Sequence, residues 1–132
     1  MSLPKNEFGK TEFKATRLGF GAMELAGFGG ASDAPTAGEV LNKVLDSGIN
    51  LIDTSPDYGS SEELIGQFIA HRREEFFLAS KCGCIVGRQP SFENGKLEHD
   101  FSRENIRAGV EQSLRRMKTD RLDLVQIHSS PA

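Results

Sequence analysis

Four side chains in this sequence have the types needed to move a proton to or from a carbonyl oxygen. Asp53, Lys81 and His128 each close a short apolar run, and Tyr58, the single tyrosine of the chain, follows Asp53 by five positions. A phenol has an ordinary pKa of about 10 and protonates a carbonyl poorly unless its anion is stabilised. An ammonium beside it favours the phenolate. A carboxylate can hold that ammonium in place, and an imidazole can donate a hydrogen bond to a substrate oxygen. The set therefore suits protonation of an oxygen that becomes negative as hydride reaches its carbon.

Each residue alone also has a structural reading. Asp53 can end a strand and cap a turn, Tyr58 can anchor a loop, Lys81 can be an exposed strand-end charge, and His128 can be a satisfied imidazole. The joint reading gains weight because three of them occupy equivalent ends of successive strands. Cys82 and Cys84 form only a C-x-C pair. With His99 or His71 their spacing is too unspecific to assign a metal, and no metal site is expected. His71-Arg72-Arg73 and Arg115-Arg116 with Lys118 read as solvated helix-end cations. Glycines 19, 21, 27, 29 and 30 mark a turn-rich stretch without the dinucleotide-binding spacing.

Positioning these groups requires strands that end together. Four runs have strand character: Arg17–Gly21, Ile49–Asp53, Phe76–Lys81 and Leu122–His128. A segment from Glu7 to Lys14, with Gly9 near its turn, suggests a preceding hairpin. Between the runs the period becomes helical. Thr36 with Glu39 reads as a capping box before the stripe Val40, Leu41, Val44 and Leu45, and Gly48 can stop that helix. Ser60 with Glu63 repeats the signal before Leu64, Ile65, Phe68 and Ile69. Ser102 precedes Ile106, Val110, Leu114 and Met117. Strands alternating with helices predict a parallel sheet with right-handed crossovers. Both a doubly wound sheet and the first part of an eightfold strand–helix barrel satisfy that order, and either gathers strand C-termini at one rim.

The 132 residues, 37 % of them hydrophobic and 27 % charged, suffice for one core. A complete barrel takes about 250 residues, so residues 1–132 read as the N-terminal portion of one larger domain, with no second domain. Sixteen Lys and Arg against 19 Asp and Glu give a net charge of −3, which offers no electrostatic reason to expect nucleic acid or an anionic membrane. The opening lacks the apolar run of a signal peptide, and no apolar stretch reaches about 18 residues. Cys82 and Cys84 are too close to close a useful disulfide loop. A cytoplasmic protein is the expectation.

The residues that carry the chemistry also carry a resemblance. The stretch Asp53-Thr54-Ser55-Pro56-Asp57-Tyr58-Gly59-Ser60-Ser61-Glu62-Glu63-Leu64-Ile65-Gly66, the strand end Ala79-Ser80-Lys81, and the segment from Asn105 through Ser113-Leu114-Arg115-Arg116-Met117 to Thr119-Asp120-Arg121-Leu122-Asp123-Leu124-Val125-Gln126-Ile127-His128 resemble the aldo-keto reductase family. Arg17-Leu18-Gly19-Phe20-Gly21 is similar to that family's first barrel strand. The resemblance implies a (β/α)8 TIM barrel, with about the first four strands here behind an N-terminal hairpin. It also implies reduction of a small aldehyde or ketone by a nicotinamide cofactor, usually NADPH, with NADH possible.

By the same resemblance, Tyr58 becomes the general acid in reduction and Lys81 the group that tunes it. Asp53 becomes the charge partner of Lys81 and a cofactor contact, and His128 the donor to the substrate oxygen. The segment from Cys82 to Asp100, with Phe92 and neighbouring Phe101, is expected over the mouth. Two alternatives stand beside this reading: a lyase using Lys81 as a Schiff base, and a reductase-like regulatory subunit of the kind the family includes. Oligomeric state stays open. Because family members place much of their cofactor recognition on later strands, residues 1–132 alone should bind NADPH weakly and the complete protein tightly. Calorimetric titration of both lengths checks this, and equal affinities would reject it.

Overall fold

The computed structural model describes residues 2–26, 33–88, 90–93 and 95–129. Gly27, Gly29 and Gly30 of the glycine-rich stretch lie outside the described residues. Strands β1 (Lys5–Glu7) and β2 (Lys14–Thr16) form the N-terminal hairpin, with Lys5 opposite Thr16. The expected hairpin segment turns out to be mostly the connection between these strands, and Gly9 sits in it at φ +59°. Next come β3 (Phe20–Gly21), α1 (Ala34–Asp46), β4 (Leu51–Asp53), α2 (Ser61–Phe68), a 3-10 segment Ala70–Glu75, and β5 (Phe77–Cys82). A short hairpin of β6 (Phe92–Glu93) and β7 (Lys96–Leu97) precedes α3 (Arg103–Met117) and β8 (Leu124–Ile127).

The central sheet is parallel, in the order β3-β4-β5-β8, with each strand beside its successor as in a barrel wall. Adjacent residues in register share a face and alternate along each strand. Ile52 and Leu78 are fully buried in the core against the helices, together with Leu41, Ile65, Ile69 and Met117. The opposite face carries Asp53, Ala79, Lys81 and Gln126, linked by the pairs Asp53–Ala79 and Lys81–Gln126. At the N-terminal end of this face, Phe8 and Phe13 lie 4.6 and 4.7 Å from Phe77, ring to ring. Asn50 locks the hairpin there by accepting from the Thr16 amide at 2.7 Å and donating to the Lys14 carbonyl at 2.9 Å. The hairpin thus closes one end of the strands and leaves the C-terminal rim for chemistry.

The helices depart from the expected stripes where small residues permit close approach. On α1, Asp33 rather than Thr36 is the cap, accepting from the Thr36 amide at 2.8 Å. Its buried positions are Ala37, Gly38, Leu41 and Leu45, and Val40 is exposed. The stripe is rotated because the Phe68 ring occupies the space a Cβ on Gly38 would need. Ser60 stands at the N-cap of α2 but makes no side-chain cap bond. Ser102 does cap α3, accepting from the Asn105 amide at 3.2 Å. On α3 the fully covered residues are Gly109, Ser113 and Met117, whereas Ile106, Val110 and Leu114 are only half-buried.

Two polar ties replace surface charges anticipated from the sequence. Arg73 is buried, not solvated. It donates to the Phe76 carbonyl at 2.7 Å, the Arg121 carbonyl at 3.1 Å and Asp123 at 2.6 Å, joining the start of β5 to the start of β8. Arg116 reaches Glu62 at 3.4 Å and Glu63 at 3.1 Å. Glu62, buried between α2, α3 and β5, accepts from Ser80 at 2.8 Å and Ser113 at 2.7 Å. Burial pushes its carboxyl above the ordinary range, and the hydrogen bonds from Ser113 and Ser80 with the charge of Arg116 only partly offset that.

A raised folded-state pKa means that Glu62 contributes most stability below its unfolded value. That contribution is lost as pH rises through the folded value. Glu62→Gln, which keeps an acceptor for both serines, should therefore gain stability relative to the parent as pH rises from acid to neutral in chemical denaturation. A pH-independent difference would contradict this. A Cβ on Gly66 would meet the Arg116 carbonyl oxygen at 2.1 Å and the Met117 Cα at 2.9 Å. The obstacle is backbone, so overpacking of about 1–3 kcal/mol should outweigh the ~1 kcal/mol that alanine adds in helix propensity. Gly66→Ala should lower the denaturation midpoint, and a midpoint at or above the parent's would refute that packing.

Candidate active site

Parallel register brings the sequence-selected residues to one rim. Asp53 ends β4, Lys81 is the penultimate residue of β5, and His128 follows β8 directly, its amide donating to the Cys82 carbonyl at 3.0 Å. The Lys81 side chain is 12 % exposed, and its ammonium donates to Asp53 Oδ2 at 2.8 Å and to the Thr54 carbonyl at 2.9 Å. It stands 5.0 Å from the centre of the Tyr58 ring. Tyr58 in turn meets the His128 ring edge-on, with centroids 5.9 Å apart. All four side chains therefore belong to one cluster.

The loop between β4 and α2 is held by small polar residues. Thr54, Ser55 and Ser61 are buried, and Ser61 Oγ lies 2.8 Å from Thr54 Oγ1 while donating to the Ala22 carbonyl at 2.9 Å. The Tyr58 amide donates to the Ser55 carbonyl at 3.1 Å, turning the phenol back toward Lys81. Gln126, not singled out from the sequence, donates to Asp53 Oδ1 at 2.8 Å. Both Asp53 oxygens are thus engaged, one by the amide and one by the ammonium. Its neighbour in the sheet register, Lys81, was the available clue: position 126 lies on β8, two residues before His128.

Behind His128 lies a second layer, in which Cys84 and His99, set aside in the sequence for their unspecific spacing, meet Ser55 and Asp57. His128 Nδ1 is 3.1 Å from Ser55 Oγ, 3.3 Å from Cys84 Sγ and 3.4 Å from Asp57 Oδ2. Asp57 Oδ2 is also 3.5 Å from His99 Nε2. Cys84 and His99 face each other across an antiparallel bridge, so the connection between β5 and α3 folds back against the rim. Asn105 secures that turn by donating to the Cys84 carbonyl at 3.0 Å and the Asp100 carbonyl at 2.8 Å. Phe101 stacks on His99 at 5.8 Å, and its ring fills the position a Cβ on Gly83 would take.

Burial opposes ionisation of Asp57, yet polar contacts with His128 and Cys84 and the electrostatic influence of the two imidazoles, His128 and His99, together hold its carboxyl below the usual range. Burial pushes the Cys84 thiol up to about 12, with the Asp57 carboxylate adding to the shift. Asp57 Oδ2 and His99 Nε2 are nevertheless buried without a hydrogen bond, a condition that costs about 1–3 kcal/mol for each group. A cleft of about 580 Å³ opens beside the Asp57 loop, lined by Pro56, Asp57, Glu63, Ile85, Arg88 and Arg116 among others. Among the described residues, no helix is long and apolar enough to cross a membrane.

The parallel strand–helix sheet thus carries an acid, an amine, a phenol and an imidazole at its C-terminal rim. The aldo/keto reductase family model matches residues 17–132. The chain is 37 % identical over 123 residues to an aldo-keto reductase of Bacillus subtilis, YhdN, covering 89 % of this chain and 35 % of that one. It is 32 % identical over 136 residues to the NADH-specific methylglyoxal reductase of Escherichia coli, covering 96 % and 42 %. A solved Pseudomonas aeruginosa structure described as an aldo-keto reductase superposes with a TM-score of 0.80 at 36 % identity, covering 96 % of this chain and 47 % of that one. The chain belongs to the aldo-keto reductase family and spans less than half the length of these relatives. Its four parallel strands with their helices correspond to that part of the (β/α)8 barrel.

Proposed function

We propose that this chain is the N-terminal portion of a single-domain aldo-keto reductase, with Tyr58, Lys81, Asp53 and His128 as its acid–base machinery. The observation that carries the reading is the Lys81 ammonium, fixed by Asp53 at 2.8 Å and standing 5.0 Å from the centre of the Tyr58 ring. A nicotinamide, when bound, supplies the hydride that reaches the carbonyl carbon. The residues present fit such a cofactor in one respect: Asp53 is 40 % exposed at the rim and keeps acceptor capacity beyond its bonds to Lys81 and Gln126, as a ribose hydroxyl would require.

Tyr58 donates its phenolic proton to the oxygen as the C=O bond opens, leaving an alcohol and a phenolate. The ammonium of Lys81 stabilises that phenolate, and solvent then returns the proton. Asp53 keeps Lys81 in place and balances its charge. His128 has Nδ1 turned to Ser55, Cys84 and Asp57, so Nε2 is the nitrogen left to orient a substrate oxygen. For Nε2 to carry the proton in a neutral ring, Nδ1 must accept, and the Ser55 hydroxyl and Cys84 thiol are the donors within reach.

The substrate class is a small aldehyde or ketone, and relatives named for methylglyoxal and D-threo-aldose support that range. NADPH is the proposed cofactor, although the name of the Escherichia coli relative makes NADH the alternative to test alongside it. The two buried free thiols, Cys82 and Cys84, accord with a reducing, cytoplasmic setting. A Schiff base on Lys81 would forfeit an ion pair and a carbonyl hydrogen bond that the fold supplies, so reduction is favoured over lyase chemistry.

In the complete protein, Tyr58→Phe should lower kcat/KM for aldehyde reduction by about 10²–10⁴, the usual range for loss of a general acid. NADPH affinity should stay unchanged. Steady-state kinetics with a fluorescence titration measures both, and a rate near the parent's would remove Tyr58 from the role.

A further inference from the structure

We propose that Asp57 Oδ2, Cys84 Sγ, His99 Nε2 and His128 Nδ1 form a zinc site that ties the β5–α3 connection to the rim of the sheet. These four donor atoms all lie within 4.8 Å of one another. Three of their separations are much shorter: 3.3 Å between Cys84 and His128, 3.4 Å between Asp57 and His128, and 3.5 Å between Asp57 and His99. Tetrahedral zinc with ordinary bonds to nitrogen, oxygen and sulfur spaces its donors by about 3.3–3.7 Å. Closing the remaining pairs therefore takes a small inward movement of side chains already facing one point.

The chemistry of the donor set agrees with the spacing. Two neutral imidazoles, one thiolate and one carboxylate around a dication sum to zero charge, which suits a half-buried site. Zinc accepts this mixture of nitrogen, sulfur and oxygen, whereas magnesium and calcium prefer oxygen alone. Binding would release the thiol proton of Cys84.

Two atoms of the cluster independently call for a ligand. Asp57 Oδ2 and His99 Nε2 are buried without a hydrogen-bond partner, on side chains 10 % and 6 % exposed. A cluster held only by internal hydrogen bonds would have satisfied them. Both atoms lie within 4.8 Å of Cys84 Sγ and His128 Nδ1. The supporting layer is also in place: Ser55 Oγ lies 3.6 Å from Cys84 Sγ, and the Asp57 amide donates to that hydroxyl at 3.2 Å. Asp57 lines the open cleft beside its loop, which gives an ion a path inward.

The arrangement could not be read from spacing along the chain. Cys82 and His71, the other residues weighed for a metal, stay outside the cluster. Asp57 enters from the β4–α2 loop and His128 from the end of β8. The ion would take Nδ1 of His128 and leave Nε2, so it does not compete for the nitrogen used in the reduction proposed above, and the site stands whether or not that reduction occurs.

Cobalt(II) serves as the spectroscopic probe, added to chelator-treated protein under reducing conditions. One equivalent should produce visible bands of tetrahedral cobalt and a near-ultraviolet thiolate band, both abolished by zinc. Cys84→Ser should remove the thiolate band, and both it and His99→Gln should weaken cobalt affinity at least tenfold. Tyr58→Phe should leave the spectrum intact, which separates this site from the catalytic reading. X-ray absorption of the zinc-loaded parent needs no variant and should show one sulfur at about 2.3 Å with three lighter donors at about 2.0–2.1 Å. Octahedral cobalt, a spectrum unchanged by Cys84→Ser, or zinc without a sulfur neighbour would overturn the proposal.

Discussion

An ammonium held mostly out of water needs acceptors in fixed places, and the rim of this sheet is arranged around that need. Lys81 finds a carboxylate oxygen of Asp53 and the carbonyl of Thr54, both on the neighbouring strand and the turn that leaves it. These two groups are available together only because β4 and β5 run parallel with Asp53 opposite Ala79, two residues before Lys81. A slip of one residue would send Lys81 into the apolar layer beneath the helices, where Leu78 and Ser80 now sit. The ion pair thus depends on the register, and the phenol and imidazole take their places around it.

The register is in turn protected from both sides. Beneath the sheet, α2 approaches α3 closely enough that Gly66 touches backbone, and Glu62 bridges Ser80 on β5 to Ser113 on α3. At the N-terminal end, Asn50 and the aromatic rings of the hairpin clamp the starts of β4 and β5. Arg73 and Asp123 do the same between β5 and β8, where Asp123 also accepts from the Leu78 amide at 2.7 Å. Rigid strand origins leave the loops at the other end free to carry function, a division of labour common to parallel strand–helix sheets.

Local chemistry explains which features were readable in advance. Strand order was visible because apolar runs alternate with helical periods, and Ser102 was visible as a cap because its bond reaches only three residues ahead. Apart from the cap of α1, which falls at Asp33 three residues before Thr36, the main misread features involve partners distant in sequence. Val40 fits a helical stripe on α1, yet Phe68 on α2 presses on Gly38 and turns the helix. Arg73 looks like a solvated cation until the Phe76 and Arg121 carbonyls and Asp123 surround it. Hydrophobic patterning marks a buried face only when the neighbouring element is known, and small residues such as Gly66 and Ser113 carry no hydrophobic signal.

The linear chain sufficed to nominate Asp53, Tyr58, Lys81 and His128, because strand ends converge in any parallel sheet and the residue types complete one acid–base task. Only the folded chain joined Gln126 to Asp53 and assembled Asp57, Cys84, His99 and His128 into one pocket. The first set follows from periodicity, a property of neighbours in sequence. The second depends on how the β4–α2 and β5–α3 connections and the end of β8 meet at the rim, which long-range packing and hydrogen bonding settle.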